Sequence, residues 1–141
     1  MVVDGRVAFL GGVNISAEND RRFGVVGHIH DLHCKVEGPA VGELQYSFLR
    51  DWHYVSAGKI PVSRIFTEDE FPILENKGDT VLRVVTSGPG QSYEATENAF
   101  MLAAMSASRS IWILTPYFVP DKPFWRALCM AAARGVDVRL V

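Results

Sequence analysis

The sequence lacks a charge excess of either sign: 14 lysines and arginines face 16 aspartates and glutamates, for a formal net charge of -2 and a pI near 6.1. Nucleic-acid binders usually carry a basic face, and the overall balance gives no argument for one, although an acidic whole can still enclose a basic cleft. Cysteine is scarce. Cys34 and Cys129 stand far apart and match no metal-ligand spacing, which fits free thiols in a reducing compartment. No apolar run approaches the roughly eighteen residues that a bilayer span needs. Met1-Val2-Val3-Asp4 has neither the basic flank nor the apolar stretch of a signal peptide. No repeat of solenoid period is present. What remains is an ordinary globular composition, 48% hydrophobic and 21% charged over 141 residues, enough for one domain with a real core.

Two apolar runs flank Asp4-Gly5 at the start of the chain. That pattern predicts a hairpin over Val2–Leu10, because both central turn positions need positive φ. One arm has few residues where a strand normally runs about five or six, and so reads as cut short. Gly11-Gly12-Val13-Asn14 ends the other arm in a permissive turn, and a polar loop through Arg21 and Arg22 follows. A strand is predicted at Leu32–Val36, stopped by Gly38-Pro39. Val41, Leu44, Phe48 and Trp52 then recur at helical spacing, predicting an amphipathic helix over Ala40–Trp52. No period is sustained from Ser56 to Asp79, which reads as a long connection between two structural units.

The rest of the chain is regular. Val81–Thr86 reads as a strand, Tyr93–Ser108 as an alanine-rich helix and Ile111–Thr115 as a second strand. Asp121 is placed to cap a helix running to about Arg134, with Pro123 in its first turn and Gly135 as its stop. Val136–Val141 begins another strand and runs to the chain end without a turn, a second sign of truncation. Strand, helix, strand, helix, strand implies parallel pairing through right-handed crossovers. On these signals Ile111–Thr115 and Val81–Thr86 are expected to outlast Arg6–Leu10 in amide exchange.

Phosphodiester exchange through a covalent intermediate needs a nucleophile, a proton donor for the leaving oxygen and donors for the charge growing on phosphoryl oxygens. One metal-free solution is a pair of motifs of the form H-x-K-x4-D-x6-G-(G/S)-x-N. Asp4, Gly11, Gly12 and Asn14 fit its latter part, D-x6-G-G-x-N, without a gap. By themselves they are equally a plain hairpin ending in a Gly-Gly turn. Their company is more specific: Asp31-Leu32-His33-Cys34-Lys35-Val36-Glu37-Gly38-Pro39-Ala40-Val41, Phe48-Leu49-Arg50-Asp51-Trp52, Ser87-Gly88-Pro89-Gly90, Thr115-Pro116-Tyr117-Phe118-Val119-Pro120, and Ala131-Ala132-Ala133-Arg134-Gly135-Val136-Asp137-Val138. In this order, these segments resemble the phospholipase D superfamily in its bacterial cardiolipin synthase group. The likeness runs from the end of the first catalytic motif to the start of the second half, and is weakest over residues 17–27 and 55–77. In that register the motif histidine and lysine precede Met1.

The resemblance implies an α/β fold, a phospholipase D-like α-β-α sandwich of which this chain holds incomplete parts of two pseudo-twofold-related halves. Residues 1–55 correspond to the C-terminal part of the first half, 56–79 to a connection and 80–141 to the N-terminal part of the second. It further implies phosphatidyl transfer between two phosphatidylglycerols through a phosphohistidine, without cofactor or metal. A chain lacking both His-x-Lys pairs is expected to be inactive alone. Other superfamily phosphodiesterases, a phospholipase or a nuclease, and a non-catalytic binding or scaffold fragment are the alternatives. The implied partner is a phospholipid and not nucleic acid. The implied location is the bacterial cell membrane, reached through segments outside this chain.

Residue by residue, Asn14 matches the amide that donates to a phosphoryl oxygen, and is otherwise a turn-stabilising Asn. Asp31 matches the carboxylate that holds a catalytic imidazole in its tautomer, and is otherwise a solvated strand-edge acid. Asp4 matches the motif aspartate, but its turn position explains it equally well. Gly12 stands where the superfamily commonly has Ser, so one hydroxyl donor is missing. Tyr117, between strand and helix, is a candidate cleft lining, with a core aromatic as the ordinary reading. His33-Cys34-Lys35 is a decoy H-x-K, since Ala40 occupies the position where the motif requires Asp. His28, His30 and His33 suggest a metal site, because i and i+2 on a strand share a face, but three or four ligands with supporting partners are needed.

Overall fold

The computed structural model describes residues 1–13, 32–88, 94–115 and 117–141. They form two compact units, Met1–Val84 and Val85–Val141.

The first unit is built on the expected hairpin. β1 (Val2–Val3) and β2 (Val7–Gly11) pair antiparallel, Val2 opposite Ala8 and Val3 opposite Val7. Asp4 and Gly5 both have positive φ, +52° and +61°, and the Arg6 N–H donates to the Val3 carbonyl at 3.0 Å. Only glycine fits the second position. A Cβ on Gly5 would lie 2.7 Å from the Glu70 carbonyl oxygen and 2.8 Å from Pro72 Cδ. β3 (His33–Glu37) joins the other edge of β2, giving a three-stranded sheet in the order β1-β2-β3.

Strand alternation sends Ala8 and Val36 to one side of the sheet, where α1 (Ala40–Val55) covers them. Ala8, Val36 and Val41 form the core, with Val2, Ala40, Leu44 and Leu74 packed around them. Complete burial of Val41 is worth about 1.5–3 kcal/mol. The helix begins where the sequence predicts, but its inner stripe is Val41, Gln45 and Leu49. Phe48 and Trp52, expected on that stripe, are 56% and 50% exposed and stack on each other at 6.3 Å. The face is turned because Gln45 is buried: its amide donates to the Glu70 carboxylate at 2.7 Å, which satisfies it away from water.

Glu70 belongs to the stretch that reads in sequence as a connection. In the structure residues 56–79 fold back on the first unit. They contain α2 (Val62–Ile65) and a 3-10 turn at Glu68–Glu70. Ile65 is buried, and Phe66 packs against Tyr46 of α1 at 5.5 Å.

The second unit holds α3 (Ala95–Ser106), β4 (Ser110–Ile113), α4 (Lys122–Ala133) and β5 (Asp137–Leu140). β4 and β5 are parallel, with Ser110 opposite Asp137 and Ile113 opposite Leu140, and α4 supplies the crossover that parallel strands need. The expected punctuation is present at both ends of α4. The Asp121 carboxylate accepts from the Phe124 N–H at 3.0 Å, Pro123 lies in the first turn, and Gly135 takes φ +90° past the last turn. Ala104 of α3 meets Ala127 and Leu128 of α4, with Ile111, Ile113 and Val138 of the strands packed against them. Small side chains at this contact bring the two helices close.

One predicted strand is corrected. Residues 81–86 form no strand. Val81 is 97% exposed, and the Val84 N–H donates to the Glu43 carboxylate at 3.3 Å, a side-chain acceptor and not a ladder. Among the described residues β4 pairs with β5 alone. Alternating apolar residues make a strand only when a neighbouring strand accepts their backbone groups.

Candidate functional site

β2 carries the partial motif from one end of the sheet to the other. Asp4 sits exposed in the hairpin turn, and Gly11 and Gly12 lie at the opposite end of the strand. At roughly 3.3 Å per residue, the two ends are on the order of 15–20 Å apart. Asp4 and Gly12 are therefore not brought together, and the turn geometry alone accounts for Asp4.

The Gly11–Gly12 end is the more constrained. Gly11 pairs with His33, and the Gly12 N–H donates to the Leu32 carbonyl at 3.0 Å. Alternation puts Gly11 and His33 on the face opposite the Ala8–Val36 core. Asn14 and Asp31, the residues to which the motif gives a phosphate contact and an imidazole contact, lie outside the described residues. So do His28 and His30. Among the described residues no group of three His, Cys, Asp or Glu side chains could hold a metal ion.

His33 and Lys35 occupy alternate positions of β3, both exposed. The Lys35 ammonium pairs with Glu37, two residues on along the same face, at 2.9 Å. Beside it, a cavity of about 500 Å³ is lined by Lys35, Pro39, Lys77 and Leu82.

In the second unit Tyr117 stands on the loop from β4 to α4, at the carboxyl end of β4. It is 85% exposed, which removes the core reading. Its backbone is fixed by Thr115, whose Oγ1 accepts from the Tyr117 N–H at 3.3 Å and donates to its carbonyl at 3.4 Å. Loops at the carboxyl ends of parallel strands are where open α/β sheets place ligands. Ser87, the first residue of the Ser-Gly-Pro-Gly segment, has a structural duty that the sequence does not reveal. Its Oγ accepts from the Thr96 N–H at 2.9 Å and so caps the first turn of α3.

The electrostatic feature with a resolved shift is on β5. The Arg139 guanidinium donates to the Asp137 carboxylate at 2.8 Å and lies 5.1 Å from the centre of the Trp112 ring. Its hydrogen bonds, with a weaker one from the Trp112 indole and the guanidinium's charge, hold Asp137 below the usual carboxylate range.

Comparison with known proteins matches the family profile "Cardiolipin synthase, PLD-like domain" over residues 101–141. Along its whole length the chain is 37% identical to a cardiolipin synthase of Geobacillus kaustophilus, 38% to one of Alkalihalophilus pseudofirmus and 35% to one of Clostridium perfringens. It spans 28%, 27% and 30% of those proteins, respectively, less than a third of each. No solved structure matches significantly. Among the described residues no helix is long and apolar enough to cross a membrane. The whole-length identities and the matched profile together show that the chain is similar, along all of its length, to a stretch of the phospholipase D-like cardiolipin synthases.

Proposed function

We propose that this chain is part of a cardiolipin synthase-like phosphatidyltransferase and is inactive by itself. In the longer protein, an imidazole attacks the phosphorus of one phosphatidylglycerol. The bond to the terminal glycerol breaks, and glycerol leaves with a proton from a second histidine. The hydroxyl of another phosphatidylglycerol gives its proton to that second histidine and attacks the phosphohistidine; the P–N bond breaks, giving cardiolipin and regenerating the imidazole. On this reading residues 1–55 belong to the first phospholipase D-like half and 80–141 to the second, in an α-β-α sandwich.

The observation that carries the reading is the register of the hairpin. The motif puts its lysine five residues, and its histidine seven residues, before the aspartate. Val2 pairs with Ala8 and Val3 with Val7, so the same antiparallel register extended upstream would set the lysine across from Gly11 and the histidine across from Val13. Both would then stand beside Gly11 and Gly12; by the motif's assignment Asn14 donates to a phosphoryl oxygen and Asp31 orients an imidazole, while Asp4 stays in the far turn. The relatives named above, each a cardiolipin synthase, favour phosphatidyl transfer over hydrolysis.

The test has two arms. The chain alone, given phosphatidylglycerol, should release no glycerol above blank. The longer protein that encloses this stretch, given phosphatidylglycerol labelled in its phosphate, should form an acid-labile, base-stable protein adduct and release glycerol. Turnover by the repurified chain would overturn the inactivity, and absence of an adduct in a turning-over long protein would overturn the mechanism.

A further inference from the structure

The helical face of the second unit combines two features that the proposed chemistry does not use. Between α3 and α4 lies an open groove of about 490 Å³ whose apolar floor includes Met101, Met105 and Met130 and whose cationic lining is Lys122, Arg126 and Arg134, with no acidic residue. Met105 and Met130 are 61% and 65% exposed. Of the three cations, Arg134 is engaged within the fold, donating to the carbonyls of Ala104, Met105 and Ala107 at the end of α3. Lys122 and Arg126 have no ion-pair partner among the described residues. Nor does helix stability explain Lys122, which opens the first turn of α4, where the macrodipole favours acids and disfavours a cation.

We propose that this groove docks on the surface of an anionic phospholipid bilayer. Methionine adapts its shape to irregular apolar partners. Lys122 and Arg126 can lay their stems along the groove and lift their charges to a phosphate layer. Charge complementarity selects the occupant. A neutral surface would leave both cations unused. A second copy docking by the same face would set Lys122 and Arg126 against their own counterparts, because a twofold contact is self-complementary only when unlike groups meet. The inference goes beyond the catalytic reading and does not need it. It also places membrane contact within this chain, where the sequence assigns it to segments elsewhere.

The test is flotation of the chain with phosphatidylserine–phosphatidylcholine vesicles and with pure phosphatidylcholine vesicles. Phosphatidylserine keeps the experiment apart from the proposed substrate. The chain should float with the first and not with the second, and binding should fall as salt rises. Lys122→Glu with Arg126→Glu should weaken it by on the order of tenfold or more. Lys59→Glu with Arg64→Glu, an equal charge change on exposed residues of the first unit, should leave it within about twofold on the same reasoning. Met105→Gln with Met130→Gln should also weaken it, with the cations intact. The proposal is overturned if the chain does not float, if it floats equally with neutral vesicles, if both charge-reversed pairs weaken binding alike, or if the Lys122 and Arg126 substitutions abolish self-association while vesicle binding is unchanged.

Discussion

Gly11 and His33 face each other across β2 and β3 so closely that a Cβ on Gly11 would lie 2.6 Å from the His33 Cα and 2.9 Å from its Nδ1. The Leu32 carbonyl oxygen would be nearer still, at 2.2 Å. These are largely backbone atoms, which cannot swing aside as a flexible side chain does. Gly11 also takes φ +150°, which a side chain disfavours. Gly11→Ala is expected to cost about 2–4 kcal/mol and to open the β2–β3 end first. Amide exchange of residues 32–34 should accelerate more than that of residues 40–55 of α1. If Gly11→Ala unfolds at the same urea concentration as the parent, the close approach is not a constraint.

Arg134 closes the second unit by donating to three carbonyls at the end of α3, at 3.1–3.3 Å. These acceptors have no partners within their own helix or lie just past it, so the guanidinium satisfies groups that otherwise need water. Arg134→Ala is expected to lower stability by about 1–2 kcal/mol, the lower part of the range for charged hydrogen bonds because the site is partly solvated. Arg134→Lys should restore less than half, since an ammonium on a flexible stem loses more freedom in holding that position than the planar guanidinium does. The measurement is a shift of the urea midpoint at constant slope. Full rescue by lysine would show that charge at the helix end, not geometry, matters.

The Asp137–Arg139 pair gives a pH signature with a definite sign. Asp137 is held low chiefly by its hydrogen bonds from Arg139, so the folded state favours the ionised form. Its small contribution is complete above the unfolded carboxylate range and is lost as pH falls through the lower folded value. A carboxyl titration by NMR should find Asp137 below an ordinary aspartate, and Arg139→Gln should raise it. The Trp112 indole proton, hydrogen-bonded to the same carboxylate at 3.4 Å, should shift with the same midpoint. An Asp137 midpoint that Arg139→Gln leaves unmoved would contradict the pairing.

Elements specified by local chemistry were legible in the sequence. Asp4-Gly5 needs two positive φ values and has them, and Asp121, Pro123 and Gly135 delimit α4 as their backbone preferences require. The less legible features depend on partners remote in sequence. The buried face of α1 is displaced because Gln45, a polar residue outside the expected apolar stripe, finds Glu70 twenty-five residues later. Tyr117 reads as core by composition, yet lies on an exposed loop whose course depends on β4 and β5 being parallel. At the candidate site, spacing singles out Asp4, Gly11 and Gly12 as motif matches, and the hairpin register places Asp4 at one end of β2 and the two glycines at the other.

That dependence on partners sets an order of amide protection within the first unit, opposite to the one read from sequence. β2 is central, with β1 on one side and β3 on the other. The Phe9 N–H donates to the Met1 carbonyl at 2.8 Å, and Ala8 is 1% exposed beneath α1. Residues 81–84 have no ladder, and Val81 is almost fully exposed. Exchange needs a donor to lose its partner and meet water, so donors in a covered central strand wait for unfolding of the whole sheet. Residues 8–10 should therefore exchange at rates set by opening of the sheet, and residues 81–83 within seconds to minutes. Val84, bonded to the Glu43 carboxylate at 3.3 Å, should fall between, and Glu43→Gln should speed its exchange while leaving residues 8–10 unchanged. If residues 81–83 prove as protected as residues 8–10, that segment pairs as a strand in solution, and the sequence pattern was the better guide.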